Sequence, residues 1–312
     1  MGKFRKAVEY LLHNRTLFFD SLLVKFGFLF SDKLYLTLRY RLKMGKWINW
    51  KNPVTYNEKL QWLKIYNRRH EYTKMVDKYE VKEYVKNLIG EEYVIPTLAV
   101  WDNIDDIDFD QLPEQFVLKT THSGGNTGVI ICRDKKSLNK DEAKEKLSKS
   151  LRQSIYASFR EWPYKNVRPR IIAEKFISDN IHSDLLDYKF YCFDGVPKVL
   201  VVATGRNVNL CFDYYDMDFN HLPFRQGGPN STSPIEKPSN LDNMIKLASV
   251  LSKGIPHVRI DMFYVNSKIY FGEYTFFDSS GMAKFDPEEW DYNFGGFIKL
   301  PNCTEAMSED KL

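Results

Sequence analysis

The stretch that most constrains this chain is Arg259-Ile-Asp261-Met-Phe-Tyr-Val-Asn-Ser-Lys-Ile-Tyr-Phe-Gly-Glu273-Tyr-Thr275. Two β-rich runs flank the turn Val265-Asn-Ser-Lys268, so the segment predicts an antiparallel hairpin. Val258, Ile260 and Met262 alternate with Arg259 and Asp261, which makes one strand face polar. An acid central to each strand can converge with the other on one divalent cation, because Asp261 and Glu273 both offer hard oxygen ligands. Thr275 shares the Glu273 face and can position a ligand or a water. Arg259 shares the Asp261 face and can stabilise a developing anion or grip a carboxylate. A pair of solvent-facing strand acids is the alternative reading of the same pattern.

Far upstream, Phe116-Val-Leu-Lys119 and Gly128-Val-Ile-Ile-Cys132 read as strands around the loop Thr-Thr-His122-Ser123-Gly124-Gly125-Asn126-Thr127. Lys119 closes an apolar run, where an ammonium calls for an anion or snorkels to water. From His122 to Gly128 the loop has three glycines, and its backbone N–H groups can cradle phosphate oxygens; an ordinary flexible hairpin has the same composition. Glu174-Lys175-Phe176-Ile177 ends a further strand. Glu174 there can accept from an adenine amino group while backbone near Ile177 reads the ring edge, or the Glu-Lys pair lies on the surface. Lys189, between Tyr188 and Phe190, is a second strand lysine suited to a polyphosphate or to solvent. A strand lysine, glycines beside it and a distant acid pair are the parts of a magnesium–nucleotide site, which makes the chain an enzyme candidate.

Along the chain, Thr55 and Glu58 form the sequence pattern of a capping box opening a helix. Another helix is predicted from near Tyr72 through Leu88, stopped by Gly90. Tyr93–Ile95 and Leu98–Trp101 read as strands, and Asp141–Tyr156 as a charged amphipathic helix. Asp194-Gly195 marks a tight hairpin, and Leu241, Ile245, Ala248 and Leu251 mark a helix. The segment from Ser280 to Phe285 reads as irregular, with a frayed tail after about Asn302. This alternation is α+β. It contains neither a GxGxxG after a first strand nor a GxxxxGK[ST] loop, which excludes a Rossmann or P-loop site.

Charge and cysteine usage narrow the class. Lys and Arg total 45 against 41 Asp and Glu, an excess too small to indicate nucleic acid. Cys132, Cys192, Cys211 and Cys303 form no CxxC pair, so a zinc ribbon is not expected and a reducing, cytoplasmic setting is. The histidines His13, His70, His182, His221 and His257 have no metal-binding spacing. Leu17–Phe30 is apolar but broken by Asp20 and Lys25, and shorter than the roughly 20 residues of a bilayer span. It reads as a helix packed on the body, or as one lying on the inner face of the cell membrane with Arg39, Arg41, Lys43 and Lys46 nearby.

With these residues in view, the chain resembles the ATP-grasp superfamily, in particular the TupA-like branch of surface-polysaccharide gene clusters, over residues 35 to 300. The resemblance rests on Asn52-Pro-Val-Thr-Tyr-Asn-Glu-Lys-Leu-Gln-Trp-Leu-Lys64, Asp77-Lys78-Tyr-Glu-Val-Lys82, Phe116-Val-Leu-Lys-Thr-Thr-His122, Asp187-Tyr-Lys-Phe-Tyr-Cys-Phe-Asp-Gly195 and Phe271-Gly-Glu-Tyr-Thr-Phe276. It implies an ATP-grasp fold, two α+β lobes clasping ATP, with an N-terminal helical extension over 1–50. The body would comprise a helical and α/β region over 51–115, an ATP-binding lobe over 116–180 and a metal-bearing lobe over 181–302, followed by a tail over 303–312.

The resemblance further implies ATP and Mg2+ as cofactors. Lys119 then matches a nucleotide-contacting lysine, Glu174 to Ile177 an adenine hinge, Lys189 a phosphate-side lysine, and Asp261 with Glu273 the magnesium carboxylates. Thr275 stands where many relatives carry asparagine. Lys78 and Lys82 look characteristic of the branch, without an assigned role. The implied activity is amide formation between a carboxylate and an amine through an acyl phosphate, on a glycan or its precursor. A sugar or polyol kinase and a glycosyltransferase are the competing expectations.

Overall fold

The structure is a computed structural model that describes residues 15–125, 127–178, 185–205 and 209–302. His13, Asn126, His182 and Cys303 lie outside the described residues.

The N-terminal part is helical. Helix α1 (Arg15–Lys25) lies against α2 (Asp32–Met44), with Leu23 packed on Tyr35 and Leu36. The Asp20 carboxylate pairs with Arg39 at 2.9 Å and Lys43 at 2.9 Å. Helix α3 (Tyr56–Tyr66) opens with the full Thr55–Glu58 capping box anticipated from sequence. The run from Tyr72 to Leu88 forms two helices instead of one, α4 (Glu71–Val76) and α5 (Glu80–Ile89). Three bonds explain the break. The Asp77 carboxylate accepts from the Tyr79 N–H at 2.8 Å and the Glu80 N–H at 3.2 Å, capping α5. The Lys78 N–H donates to the Thr121 carbonyl at 3.0 Å, tying the break to the glycine-rich loop. Gly90 ends α5 as expected.

The first sheet holds β1 (Thr97–Trp101), β2 (Phe116–Thr120) and β3 (Val129–Cys132). Helices α6 (Lys140–Leu151) and α7 (Ile155–Phe159) follow, then β4 (Ile171–Lys175). All pairs are antiparallel, in the order β1-β4-β2-β3. Its core is Phe116, Leu118, Ile171 and Ala173 with Leu147 of α6. Two expectations fail locally. The segment before β1 is a 3₁₀ turn over Glu91–Tyr93, not a strand. The helix expected to reach Tyr156 stops at Leu151, because the Ser154 hydroxyl accepts from the Ala157 N–H at 3.1 Å and starts α7.

The second sheet contains β5 (Asp187–Phe193), β6 (Val196–Thr204) and β7 (Cys211–Tyr215). Beyond them come β8 (Arg225–Gln226), α8 (Leu241–Ser252), β9 (Val258–Val265), β10 (Lys268–Thr275), β11 (Phe285–Asp286) and α9 (Glu289–Phe297). The order is β10-β9-β5-β6-β7, with β8 and β11 paired apart. Asp194 at φ 50° and Gly195 at φ 80° make the hairpin turn between β5 and β6. The sheet's core residues Phe190, Leu200, Val258 and Ile260 form one cluster with Met244 and Leu251 of α8, Tyr56 and Leu60 of α3, and Phe294 of α9. Helix α9 was not legible in the sequence, where Gly295-Gly296 reads as a breaker. Gly295 is there for contact: a Cβ would stand 2.2 Å from the Val54 carbonyl oxygen, so only glycine lets α9 lie on the start of α3.

Candidate active site

The two sheets border a single large cleft of about 1770 Å³. The first contributes Lys119, Glu174 to Ile177 and the loop residues His122, Ser123, Gly124, Gly125 and Thr127; the second contributes Lys189, Arg259, Asp261, Glu273 and Thr275. Sequence-distant groups are thereby brought to one space. Gly128 does not line it; a Cβ there would stand 2.2 Å from the Ser150 Oγ, so its part is close packing. His122 is buried, and burial lowers its pKa.

The hairpin acids face each other because of an irregularity. From the turn, Lys268 pairs with Val265 and Phe271 with Met262; then the register shifts, and Glu273 pairs with Asp261. Gly272 is the extra residue. Without that shift Glu273 would oppose Ile260, on the other face of the ladder. A Cβ at Gly272 would lie 3.0 Å from the Asp261 carbonyl oxygen, so the bulge favours glycine.

Asp261 is saturated with cations. Arg259 grips it in a two-pronged pair, Nε to Oδ1 at 2.7 Å and Nη2 to Oδ2 at 2.8 Å. Lys189 Nζ also donates to Oδ2 and stands 3.3 Å from the Asp187 carboxylate. Burial pushes the Asp261 carboxyl up, but Arg259 and Lys189 outweigh it and hold it below its ordinary value. Arg259 further donates Nη1 to Asp278 and Nη2 to the Thr275 hydroxyl at 3.1 Å. Glu273 is looser: its nearest cations are Lys78 at 3.7 Å and Arg259 at 3.9 Å.

Glu174 is buried and sits between two ammonium groups, Lys82 at 2.6 Å and Lys119 at 2.5 Å. Desolvation opposes its charge, yet Lys119 and then Lys82 bring its pKa down to about 2. The surface reading of the Glu174-Lys175 pair therefore fails for Glu174, while Lys175 is exposed. Lys82 also donates to the Ile95 carbonyl at 2.8 Å and the Thr97 hydroxyl at 2.8 Å. Lys78 Nζ donates to the Ser123 carbonyl, so it joins the glycine-rich loop to the Glu273 side. These two lysines gain a place that sequence did not give them. Their spacing of four residues beside the Asp77 break puts both on the cleft side of the α4–α5 region. Asp278 was missed altogether, because nothing in Phe277-Asp-Ser-Ser280 marks it apart from an ordinary turn.

The donor set suits Mg2+. Two carboxylates in register and a nearby hydroxyl match an ion that takes one or two protein carboxylates and completes its shell with water and phosphate oxygens. Among the described residues no group of three or more His, Cys, Asp or Glu side chains is placed to hold a metal, which argues against a protein-only cage.

A family model described as TupA-like ATPgrasp matches residues 58–299. No curated protein matches. Among solved structures, a D-alanine–D-alanine ligase from Helicobacter pylori is 16% identical over 78% of this chain and 69% of its own, with a TM-score of 0.41. A D-alanine–D-alanine ligase from Bacillus anthracis complexed with ATP is 18% identical over 64% of this chain and 53% of its own, with a TM-score of 0.37. An N5-carboxyaminoimidazole synthase from Aspergillus clavatus is 12% identical over 67% of this chain and 46% of its own, with a TM-score of 0.39. The chain thus spans about half the length of the last two.

Proposed function

The chain belongs to the TupA-like ATP-grasp family, and from that premise we propose that it is an ATP- and Mg2+-dependent carboxylate–amine ligase. The carboxylate is a uronic acid or an amino acid, joined to an amine on a bacterial surface polysaccharide or its precursor. One observation carries the reading: Lys78 and Lys82, Lys119, and Lys189, from three separate places in the chain, and an in-register acid pair line one cleft. Its volume of about 1770 Å³ exceeds the roughly 300–1,000 Å³ of an ordinary small-ligand site, leaving room for nucleotide and both reactants.

The division of labour follows from charge. Lys119, with the loop from His122 to Thr127, binds the polyphosphate, and the backbone after Glu174 receives the adenine. Lys189 and Arg259 stabilise negative charge as the carboxylate oxygen attacks the γ-phosphorus and ADP departs. Asp261, Glu273 and Thr275 would hold Mg2+, which supplies charge neutralisation between phosphate oxygens. An amine then attacks the acyl carbon and phosphate leaves, so no protein nucleophile is required.

Hydroxylamine trapping tests this. Purified protein with Mg2+, ATP and a panel of uronic and amino acids should release ADP only with its carboxylate and convert it to the hydroxamate. Isolated phosphosugar without hydroxamate would assign a kinase instead, and product formation without ATP a glycosyltransferase.

The N-terminal helices support a second element of the proposal, contact with the cytoplasmic face of a membrane. Among the described residues no helix is long and apolar enough to cross one. Beyond the face of α1 packed on α2, Leu17, Phe19, Phe26, Phe28 and Leu29 are exposed, Phe28 to 78%. Residues 1–50 hold ten Lys and Arg against three Asp and Glu, so the surplus of the whole chain, 45 against 41, is concentrated here. Apolar side chains beside cations fit an anionic lipid surface. The protein should sediment with phosphatidylglycerol vesicles and not with phosphatidylcholine vesicles, and Phe28→Glu with Leu29→Glu should abolish sedimentation. Equal behaviour with both lipids, or none with either, overturns this contact.

A further inference from the structure

The cleft is also lined by Glu161, Tyr164 and Ser280, which the phosphoryl-transfer groups leave unused. Behind Ser280 lies Lys64 of α3, fully buried. Its Nζ donates to the Ser280 Oγ at 2.6 Å, the Ser280 carbonyl at 2.9 Å, the Phe159 carbonyl at 3.1 Å and the Gln61 Oε1 at 3.2 Å. Every partner at hydrogen-bond distance is neutral, an expensive setting for an ammonium group. Its counter-charge is Glu161, which is 9% exposed and lines the same cleft as Ser280. Ser280 thus joins a buried amine to a cleft wall that also carries a buried carboxyl.

The turn that presents Ser280 is strained. Ser279 at φ 48° and Ser280 at φ 56° are consecutive non-glycine residues in the left-handed region. Gln61 Nε2 fixes them by donating to the Ser280 carbonyl at 2.9 Å and the Gly281 carbonyl at 2.9 Å. The same turn begins at Asp278, which accepts from Arg259 Nη1 while Arg259 grips Asp261. Tyr164 lines the same cleft wall as Glu161, Asp261 and Glu273. The serine turn and the hairpin acids are therefore neighbours within one cleft.

We propose that Ser280, backed by Lys64 and Glu161, is the acceptor subsite of this cleft, taking a primary ammonium nucleophile and removing a proton from it before amide formation. The proposal rests on the ligase reading. An ammonium nitrogen has no lone pair, so one proton must leave before attack. The free amine then forms the N–C bond, the C–O bond to phosphate breaks with its electron pair on phosphate, and the second nitrogen proton departs with phosphate. Glu161 and Asp278 supply the negative charge that draws an ammonium group in.

The first proton goes to the Lys64–Glu161 pair. Burial brings Lys64 down to about 7, against the pull of Glu161 and with the repulsion of Arg39. Burial likewise raises Glu161; Lys64, the Ser280 hydroxyl and Arg39 oppose that rise and Asp278 adds to it. Burial thus works against charge on both partners, which suits the pair to take up a proton. Lys64 acts through Ser280 and is a positioning residue.

Two nucleophiles separate this role from a structural one. Hydroxylamine is largely uncharged at neutral pH and needs no deprotonation before attack; ethanolamine, glycine and L-lysine arrive as ammonium ions. Glu161→Gln, and Ser280→Gly, which keeps the left-handed backbone, should cost hydroxamate formation far less than amide formation. Amide formation at pH 7 should fall on the order of 100-fold in both. The variants' amide rate should climb with pH where the wild type has levelled, and Glu161→Asp should recover part of the loss. Equal losses with both nucleophiles, no selective loss, or no amide from any primary amine while hydroxamate forms would each overturn the subsite. Absence of hydroxamate from the wild type with every carboxylate would sink the ligase reading, and this proposal with it.

Discussion

Asp261→Asn is expected to lower carboxylate-dependent ADP release by on the order of 10³-fold or more, with the protein still folded. The carboxylate has two duties at one position. It is a candidate Mg2+ ligand, and it is the anion that orients Arg259 and Lys189 through contacts to both its oxygens. An amide keeps the shape and loses the charge, and its NH2 group turns a donor toward one of those cations. Arg259 and Lys189, the groups proposed to stabilise the transferring phosphoryl group, would both shift. Glu273→Gln should match the loss of turnover while disturbing the structure less, since its cations lie 3.7 and 3.9 Å away. Steady-state ADP release, with circular dichroism as the check on folding, reads both variants. More than a tenth of wild-type turnover in either removes that carboxylate from the metal site. Because Arg259 and Lys189 already pair with Asp261, Mg2+ alone should bind weakly, and calorimetry with a non-hydrolysable ATP analogue should show tighter binding.

Much of this centre was legible because hairpins write themselves locally. The Val265–Lys268 turn and the polar-apolar alternation gave the β9–β10 ladder and the shared face of Arg259 and Asp261. Simple alternation, however, sets Glu273 opposite Ile260, and the facing of the two acids depends on the Gly272 bulge. A lone strand glycine signals a bulge but not its register. The groups that escaped notice are joined only by tertiary contact. Lys64 is 216 residues from Ser280 and reads in sequence as a solvent-facing helix lysine; Asp278 reads as a turn acid. The helix boundaries that went wrong, at Asp77 and Ser154, are places where a side-chain cap or a distant carbonyl competed with helix periodicity. Burial of charged side chains is the property that a linear pattern conveys least, and this cleft is built from it.

Glu174→Gln should cost about 3 kcal/mol of stability at neutral pH. The magnitude follows from a carboxyl whose ordinary pKa of 4.5 is brought to about 2 in the folded protein. Removing the charge leaves Lys82 and Lys119 facing one another without a counter-ion. Their side chains, 14% and 21% exposed, have limited freedom to reach water. In thermal unfolding the variant should melt roughly 5–10 °C lower at pH 7. The pH dependence carries the diagnostic sign. A carboxyl with a depressed folded pKa contributes its full stability above its unfolded pKa and loses it as pH falls toward the folded one. Wild type should therefore lose this stabilisation between pH 4.5 and about 2, and the gap to Glu174→Gln should close over the same window. A bound polyphosphate supplies negative charge to Lys119, so saturating ATP should narrow the gap at neutral pH as well. A melting temperature within about 1 °C of wild type at pH 7, or a gap that widens in acid, would show that the two lysines do not depend on Glu174. Its proposed place beside the adenine would then rest on contact with the base alone.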